Sequence, residues 1–209
     1  MGRNAGLTVF HLIRHGAHNL LGRVLTGRMR GVELSEEGRA QAIAVARSLG
    51  TRPLRAVVSS PLERAVQTAA PLATRLGLEV TVHRGLEEID FGAWSGRAFA
   101  ELEGDPAWRH WNGLRSASRC SGGETMLETQ ARALAVLLEL RAAYPDGEVA
   151  VIGHQDVLKA LLTHALGMPL DFLHRIALDP AHRSVLVMSE SEMRVEALNL
   201  PAAVVTERA

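Results

Sequence analysis

The sequence predicts an α/β fold, a three-layer α/β/α sandwich around a mostly parallel sheet. Short apolar runs of strand length alternate with longer segments of helical period. That alternation asks for a sheet covered by helices on both faces. At 209 residues and 47% hydrophobic content, the chain can bury such a core as one domain over 1–209.

Leu7–Ile13 reads as the first buried strand. Ser35–Leu49 reads as a helix, with Glu36 and Glu37 in the first turn where the helix dipole favours acids. Arg55–Ser59 is a second strand. Ser60-Pro61-Leu62-Glu63 has the grammar of a helix start, with Ser60 as N-cap, Pro61 at the first helical position and Glu63 closing a capping box. This helix should run to about Arg75 and stop at Gly77, with a kink or break near Ala70 ahead of Pro71. Leu78–His83 is a third strand. Phe91–Gly123 is irregular, holds Trp94, Trp108 and Trp111, and predicts a small cap insertion with one or two short helices. Packing of that small unit is the expected role of the tryptophans. Glu124–Ala143 is a long amphipathic helix, Glu148–Gly153 a fourth strand, and Asp156–Leu166 a helix after it. Ser184–Met188 and Met193–Leu198 predict a terminal hairpin.

Composition narrows the function. Lys+Arg and Asp+Glu both number 23, so no bulk charge draws the chain to nucleic acid or to an anionic membrane, and neither is an expected partner. The single cysteine, Cys120, allows no internal disulfide and no thiolate metal cage. No apolar run is long enough to span a bilayer, and the N-terminus lacks the stages of a signal peptide. A cytoplasmic location is the default expectation.

Right-handed crossovers put every βα junction of a parallel sheet on one edge, and that edge carries ligand sites in open α/β sheets. Four polar clusters fall there: Arg14-His15-Gly16, Ser59-Ser60 with Arg64 one turn on, Glu87-Glu88, and Gly153-His154. Two always-charged guanidinium groups match phosphate oxygens. Gly16 lets an anion approach the backbone beside His15. A neutral imidazole is a competent nucleophile toward phosphorus, and a carboxylic acid at Glu87 or Glu88 can protonate the leaving alkoxide. The set reads as a phosphoryl-transfer site. His15 and His18 find no carboxylate or third histidine at metal-ligand spacing, so no metal or other cofactor is expected.

Leu12-Ile13-Arg14-His15-Gly16 resembles the hallmark of the histidine phosphatase superfamily, which includes phosphoglycerate mutases. Five further matches follow in order: Leu34–Ala42, Ser59–Ala69, Glu88–Gly96, Gly122-Gly123-Glu124-Thr125 and Val149–Val157. The resemblance implies that His15 becomes phosphorylated and that Arg14, Arg64 and His154 hold the phosphoryl group. It implies Glu88, four residues before Gly92, as the proton donor. It also implies a metal-free site in which His154 is cationic or a strong donor. Departures lie in the first loop, where Ala17, His18 and Leu21 replace the family's Glu, Thr and Asn, and at Gly153, where Ser is usual. Asn19 is then a candidate phosphate ligand with Gly16, and His18, Thr26, Gly27 and Arg28 are candidate substrate contacts. The expected function is hydrolysis of a small phosphate ester through phosphohistidine; dimers are common among the relatives the resemblance points to, which makes a homodimer a candidate assembly that the sequence itself leaves open. The rival functions are a 2,3-bisphosphoglycerate-dependent mutase, disfavoured by the short insertion, and an inactive phospho-ligand binding module.

Overall fold

In the computed structural model, which describes residues 6–202, six strands form one sheet flanked by helices on both faces. The strands are β1 (Thr8–Arg14), β2 (Leu54–Ser59), β3 (Val80–Val82), β4 (Glu148–Gly153), β5 (Arg183–Met188) and β6 (Met193–Leu200), in the order β3-β2-β4-β1-β5-β6. The first four pair in parallel, and β5 runs antiparallel to both β1 and β6. The expected hairpin is therefore real and extends the sheet beyond β1.

The central strands alternate between two cores, as a period of two requires. Phe10, Leu12, Val58, Val149 and Val151 face one side, where α5 (Met126–Ala143) and α6 (Gln155–Ala165) supply Val136, Leu137, Leu158 and Leu161. Ile13, Val57, Ala150 and Ile152 face the other, where α1 (Glu36–Leu49) and α2 (Glu63–Leu76) supply Val45, Leu49, Ala69 and Leu72. Each of the larger side chains among them contributes roughly 1.5–3 kcal/mol on full burial, which fixes strand register and so the position of the strand ends. Among the described residues no helix is long and apolar enough to cross a membrane.

Four local expectations change. Ser60 does not cap α2: Leu62 occupies the cap position with no side-chain bond, and Glu63 closes no box. The Ser60 hydroxyl instead meets Nε2 of His154 at 2.7 Å. A distant partner has outcompeted the local one. Second, α2 runs unbroken through Pro71 to its left-handed stop at Gly77 (φ 66°). Third, the Thr125 and Glu128 side chains form the capping box that opens α5, which frees Glu124 for ion pairs with Arg28 and Arg132. The third strand is also shorter than expected, because the Leu78 N–H is spent on the Ala73 carbonyl as α2 closes.

The insertion carries two short helices, α3 (Phe99–Leu102) and α4 (Pro106–Gly113), over a core of its own. Trp94 and Trp111 are buried there beside Phe91, and Trp108 stacks on Trp111 at 5.3 Å. Packing is thus what the three tryptophans do. Arg115 lies 4.0 Å over the Trp111 ring and bonds Asp156 of α6 at 2.7 Å, tying the insertion to the sheet edge.

Candidate active site

The C-terminal ends of β1 and β4 lie side by side, with Arg14 paired to Gly153 and the His15 N–H bonded to the Gly153 carbonyl at 2.9 Å. This brings the His15 and His154 rings to 5.2 Å, although 139 positions separate them in sequence. His18 stands 5.4 Å from His15 on the other side. A cavity of about 440 Å³ opens at this point, lined by Arg14, His15, His18, Arg64 and Glu88 among others. The residues read as one constellation in the sequence are therefore assembled in space.

His15 Nδ1 lies 2.7 Å from the Gly16 carbonyl. A carbonyl oxygen can only accept, so Nδ1 carries the proton and Nε2 keeps its lone pair. Burial, then the charges of Arg64 and Arg14, hold the ring's proton affinity well below the ordinary histidine value of 6.5. His15 is thus a neutral imidazole at physiological pH with a defined nucleophilic nitrogen.

The backbone around it is equally specified. The Gly16 N–H bonds the Thr68 hydroxyl at 2.9 Å, and that hydroxyl donates to the Arg64 carbonyl at 2.7 Å. The α1 helix presses its first turn against the same loop. A Cβ on Gly38 would stand 2.0 Å from the Ala17 carbonyl oxygen, and one on Gly16 would stand 2.7 Å from the Gly38 carbonyl oxygen. Gly38→Ala should accordingly destabilise the fold by about 2 kcal/mol, seen as a fall in Tm of about 4–8 °C, although alanine is favoured in helices by about 1 kcal/mol. A Tm unchanged or raised would refute the contact.

Arg64 is 1% exposed, and its NH2 donates to the Gly27 carbonyl at 2.6 Å. Burial lowers it to about 10, so it stays charged at neutral pH. Arg14 is anchored by NH1 on the Leu178 carbonyl at 2.6 Å. Of the two states expected of His154, a cation or a strong donor, its surroundings oppose the cation. Burial, Arg64 and His15 push its proton affinity well below the ordinary value, so the ring is neutral in the free enzyme. Ser60 Oγ receives the Leu62 N–H at 3.3 Å and pairs with His154 Nε2 at 2.7 Å, a contact that either neutral tautomer of the ring can make. With its proton on Nδ1, His154 is a donor without being a cation.

Glu88 lines the cavity, whereas Glu87 turns toward Arg30 at 3.4 Å. Geometry therefore separates two carboxylates that residue chemistry alone left equivalent. Burial, and then the nearby Asp156 carboxylate, raise Glu88 from 4.5 to about 7. Arg28 holds the peptide carbonyl of Glu88 at 2.7 Å, and Arg132 holds those of Glu87 at 2.7 Å and Glu88 at 3.1 Å. Glu124 ion-pairs with both arginines at 2.7 and 3.0 Å.

This arrangement corrects two expectations for the first loop. Arg28 faces the acid-bearing segment and not the cavity, because Glu124 and the Glu88 carbonyl satisfy it. Asn19 is exposed, its carbonyl receives Arg23, and its side chain lies outside the cavity lining. Thr26, Gly27 and His18 do line the cavity. Sequence reasoning missed Gln155, Asp156, Asp179 and the Thr68 hydroxyl, and it placed Ser60 at the site edge without its His154 partner. Gln155 and Asp156 follow His154 directly and were findable as the first turn of α6. Asp179 had no local signal. Among the described residues no group of three or more His, Cys, Asp or Glu side chains is placed to hold a metal ion.

Comparison with known proteins agrees with this geometry. Residues 10–201 match the model of the histidine phosphatase superfamily (branch 1). The chain belongs to that superfamily. It is 34% identical to a glucosyl-3-phosphoglycerate phosphatase of Mycobacterium tuberculosis over 173 residues, 76% of this chain and 75% of that one. It is 32% identical to phosphoserine phosphatase 1 of Hydrogenobacter thermophilus over 179 residues, 83% of this chain and 85% of that one. The solved structure of a mycobacterial glucosyl-3-phosphoglycerate phosphatase superposes with a TM-score of 0.84 at 28% identity, covering 93% of this chain and 99% of that one. Within this histidine phosphatase, every motif that carried the resemblance lies inside the matched span.

Proposed function

We infer that this phosphatase hydrolyses a small phosphate monoester in two in-line steps through phosphohistidine at His15. In the first step the Nε2 lone pair attacks phosphorus and the ester P–O bond breaks. The departing oxygen takes the proton of Glu88, which near-neutral proton affinity keeps available. The ring becomes a phosphoimidazolium whose positive charge is steadied by Nδ1–H on the Gly16 carbonyl. In the second step the Glu88 carboxylate takes a proton from water as the water oxygen attacks phosphorus. The P–N bond breaks, and His15 and Glu88 return to their starting forms.

One observation carries this reading. Arg14 Nε, Arg64 Nε, His18 Nδ1 and His154 Nδ1 are buried polar atoms without a hydrogen-bond partner, and all belong to side chains gathered around His15. Leaving such groups unpaired costs roughly 1–3 kcal/mol each. A tetrahedral oxyanion, with three oxygens spread in a plane at the transition state, matches that demand. A cytoplasmic setting is part of this reading, and the even balance of 23 basic and 23 acidic residues is in keeping with small-molecule substrates.

The test is rapid quench with phosphorus-labelled ester in excess chelator. Label should appear on protein within one turnover, stable to alkali and lost in acid, with phosphate release undiminished by the chelator. A label that resists acid, or activity that dies with the chelator, would end the reading.

A further inference from the structure

The cavity around His15 has an inner part that binds the phosphoryl group and an outer part that meets whatever the phosphate is attached to. The apolar part of the outer wall is Leu21, Val24, Leu25, Phe91 and Phe99. Its polar groups are His18, Thr26, Gln155, Asp156 and Asp179.

The charge on that wall is one-sided. Among the described residues the cations lining the cavity are Arg14 and Arg64 alone, and both belong to the inner part. Of the arginines just outside, Arg28 pairs with Glu124, Arg30 with Glu87, Arg97 with Asp105 and Arg115 with Asp156, while Arg23 is held by the Asn19 carbonyl. His18 is lowered by burial and by Arg64 to about 4, so it is neutral at physiological pH. Asp179 remains. Asn199 fixes its position, with its Nδ2 donating to Oδ2 at 2.8 Å and its Oδ1 receiving the Asp179 N–H at 2.7 Å. The His182 ring stands 3.6 Å from the same carboxylate. The peptide next to Asp179 is the one whose carbonyl anchors Arg14, which locks the carboxylate to the rim of the site.

We propose that this wall selects phosphate esters whose leaving group carries no second anion, neutral or cationic and partly apolar, with Asp179 as the specificity-determining residue. The proposal rests on the phosphatase reading above and narrows it. A substrate carboxylate would lie against carbon and Asp179, with no cation of the outer wall to receive it. An ammonium group would gain Asp179 as a partner. Both named relatives act, by their names, on phosphate esters that bear a carboxylate. The chain thus diverges from them in substrate while keeping their chemistry.

Matched esters provide the test. Phosphoethanolamine and phosphoserine differ by one carboxylate, as do glycerol 3-phosphate and 3-phosphoglycerate. In each pair kcat/KM should favour the ester without the carboxylate by about 10-fold at low salt, a ratio that shrinks as ionic strength rises. Asp179→Asn should narrow both ratios severalfold, chiefly through KM of the carboxylate ester, and Asp179→Arg should invert them. Equal or reversed ratios in the unaltered enzyme would overturn the proposal, as would ratios that Asp179→Asn leaves unmoved. Where a variant fails to fold by its thermal transition, the ratios of the unaltered enzyme and their salt dependence decide alone. Turnover that prefers phosphoserine sinks the specificity and spares the mechanism. No phosphate release from any ester, with no acid-labile label, sinks both.

Discussion

His15→Ala is expected to lower kcat by at least about 10³-fold on every ester while leaving the fold and the anion site in place. On the proposed mechanism the ring supplies the bond-forming electron pair. His154 has its Nε2 on Ser60, and His18 lacks the main-chain bond that fixes the lone pair of His15 on Nε2. Stability should change little. The lost ring contacts are offset by removing a polar ring held beside Arg14 and Arg64 in a desolvated site. Inorganic phosphate should bind the variant within a few-fold of the unaltered enzyme, because Arg14 and Arg64 are fixed by Leu178 and Gly27 and not by His15. Calorimetry with phosphate, run beside single-turnover kinetics, separates lost chemistry from lost structure. A variant retaining a tenth of the activity would place the nucleophile elsewhere.

Glu88→Gln has the second-largest expected effect, and it has two signatures. The first is kinetic. Esters of alkyl alcohols should lose about 10²- to 10⁴-fold in kcat/KM, whereas an ester with an acidic phenol as leaving group should lose far less, because its oxyanion departs without a proton. In the unaltered enzyme the acid form is needed for the first step, so kcat/KM should fall as pH rises through about 7. That limb should vanish in the variant. Asp156 helps raise Glu88, so it should also help set where the limb lies.

The second signature is stability, and its sign is opposite to the loss of activity. The folded state holds the Glu88 proton up to about 7, against an ordinary value of 4.5 in the unfolded chain. Between these values the folded state binds more protons, so its stability falls as pH rises through this window. A neutral glutamine escapes that penalty. Glu88→Gln should therefore be more stable than the unaltered enzyme at pH 8, by up to about 3 kcal/mol, with the advantage fading toward pH 4.5. Chemical denaturation at the two pH values measures it. An advantage that grows on acidification would show that the carboxylate is not held protonated.

The groups proposed to be catalytic are legible in the sequence because they sit where sheet topology puts them. Arg14, His15 and His154 end strands, and Arg64 begins a helix after one, so the crossover rule alone collects them. Ser60 shows the opposite case. Its local context is that of a helix cap, and only the approach of His154 from β4 diverts its hydroxyl. Arg28 misled for the same reason: its loop borders the cavity, but Glu124, 96 positions on, claims the guanidinium. Asp179 enters through the turn before β5, held by Asn199 near the end of β6. Apolar periodicity gives the strands that carry such residues, but not which polar side chain will find which partner across the sheet.

The reacting groups and the residues of the outer wall have different anchors. His15, Glu88 and His154 are pinned by main-chain bonds and by neighbours with their own buried contacts. Asp179 depends on Asn199, and Phe99 belongs to a four-residue helix of the insertion. Changes at Asp179 or Phe99 therefore leave the anchors of His15, Glu88 and His154 in place, and the mouth of the cavity can be reshaped apart from its floor.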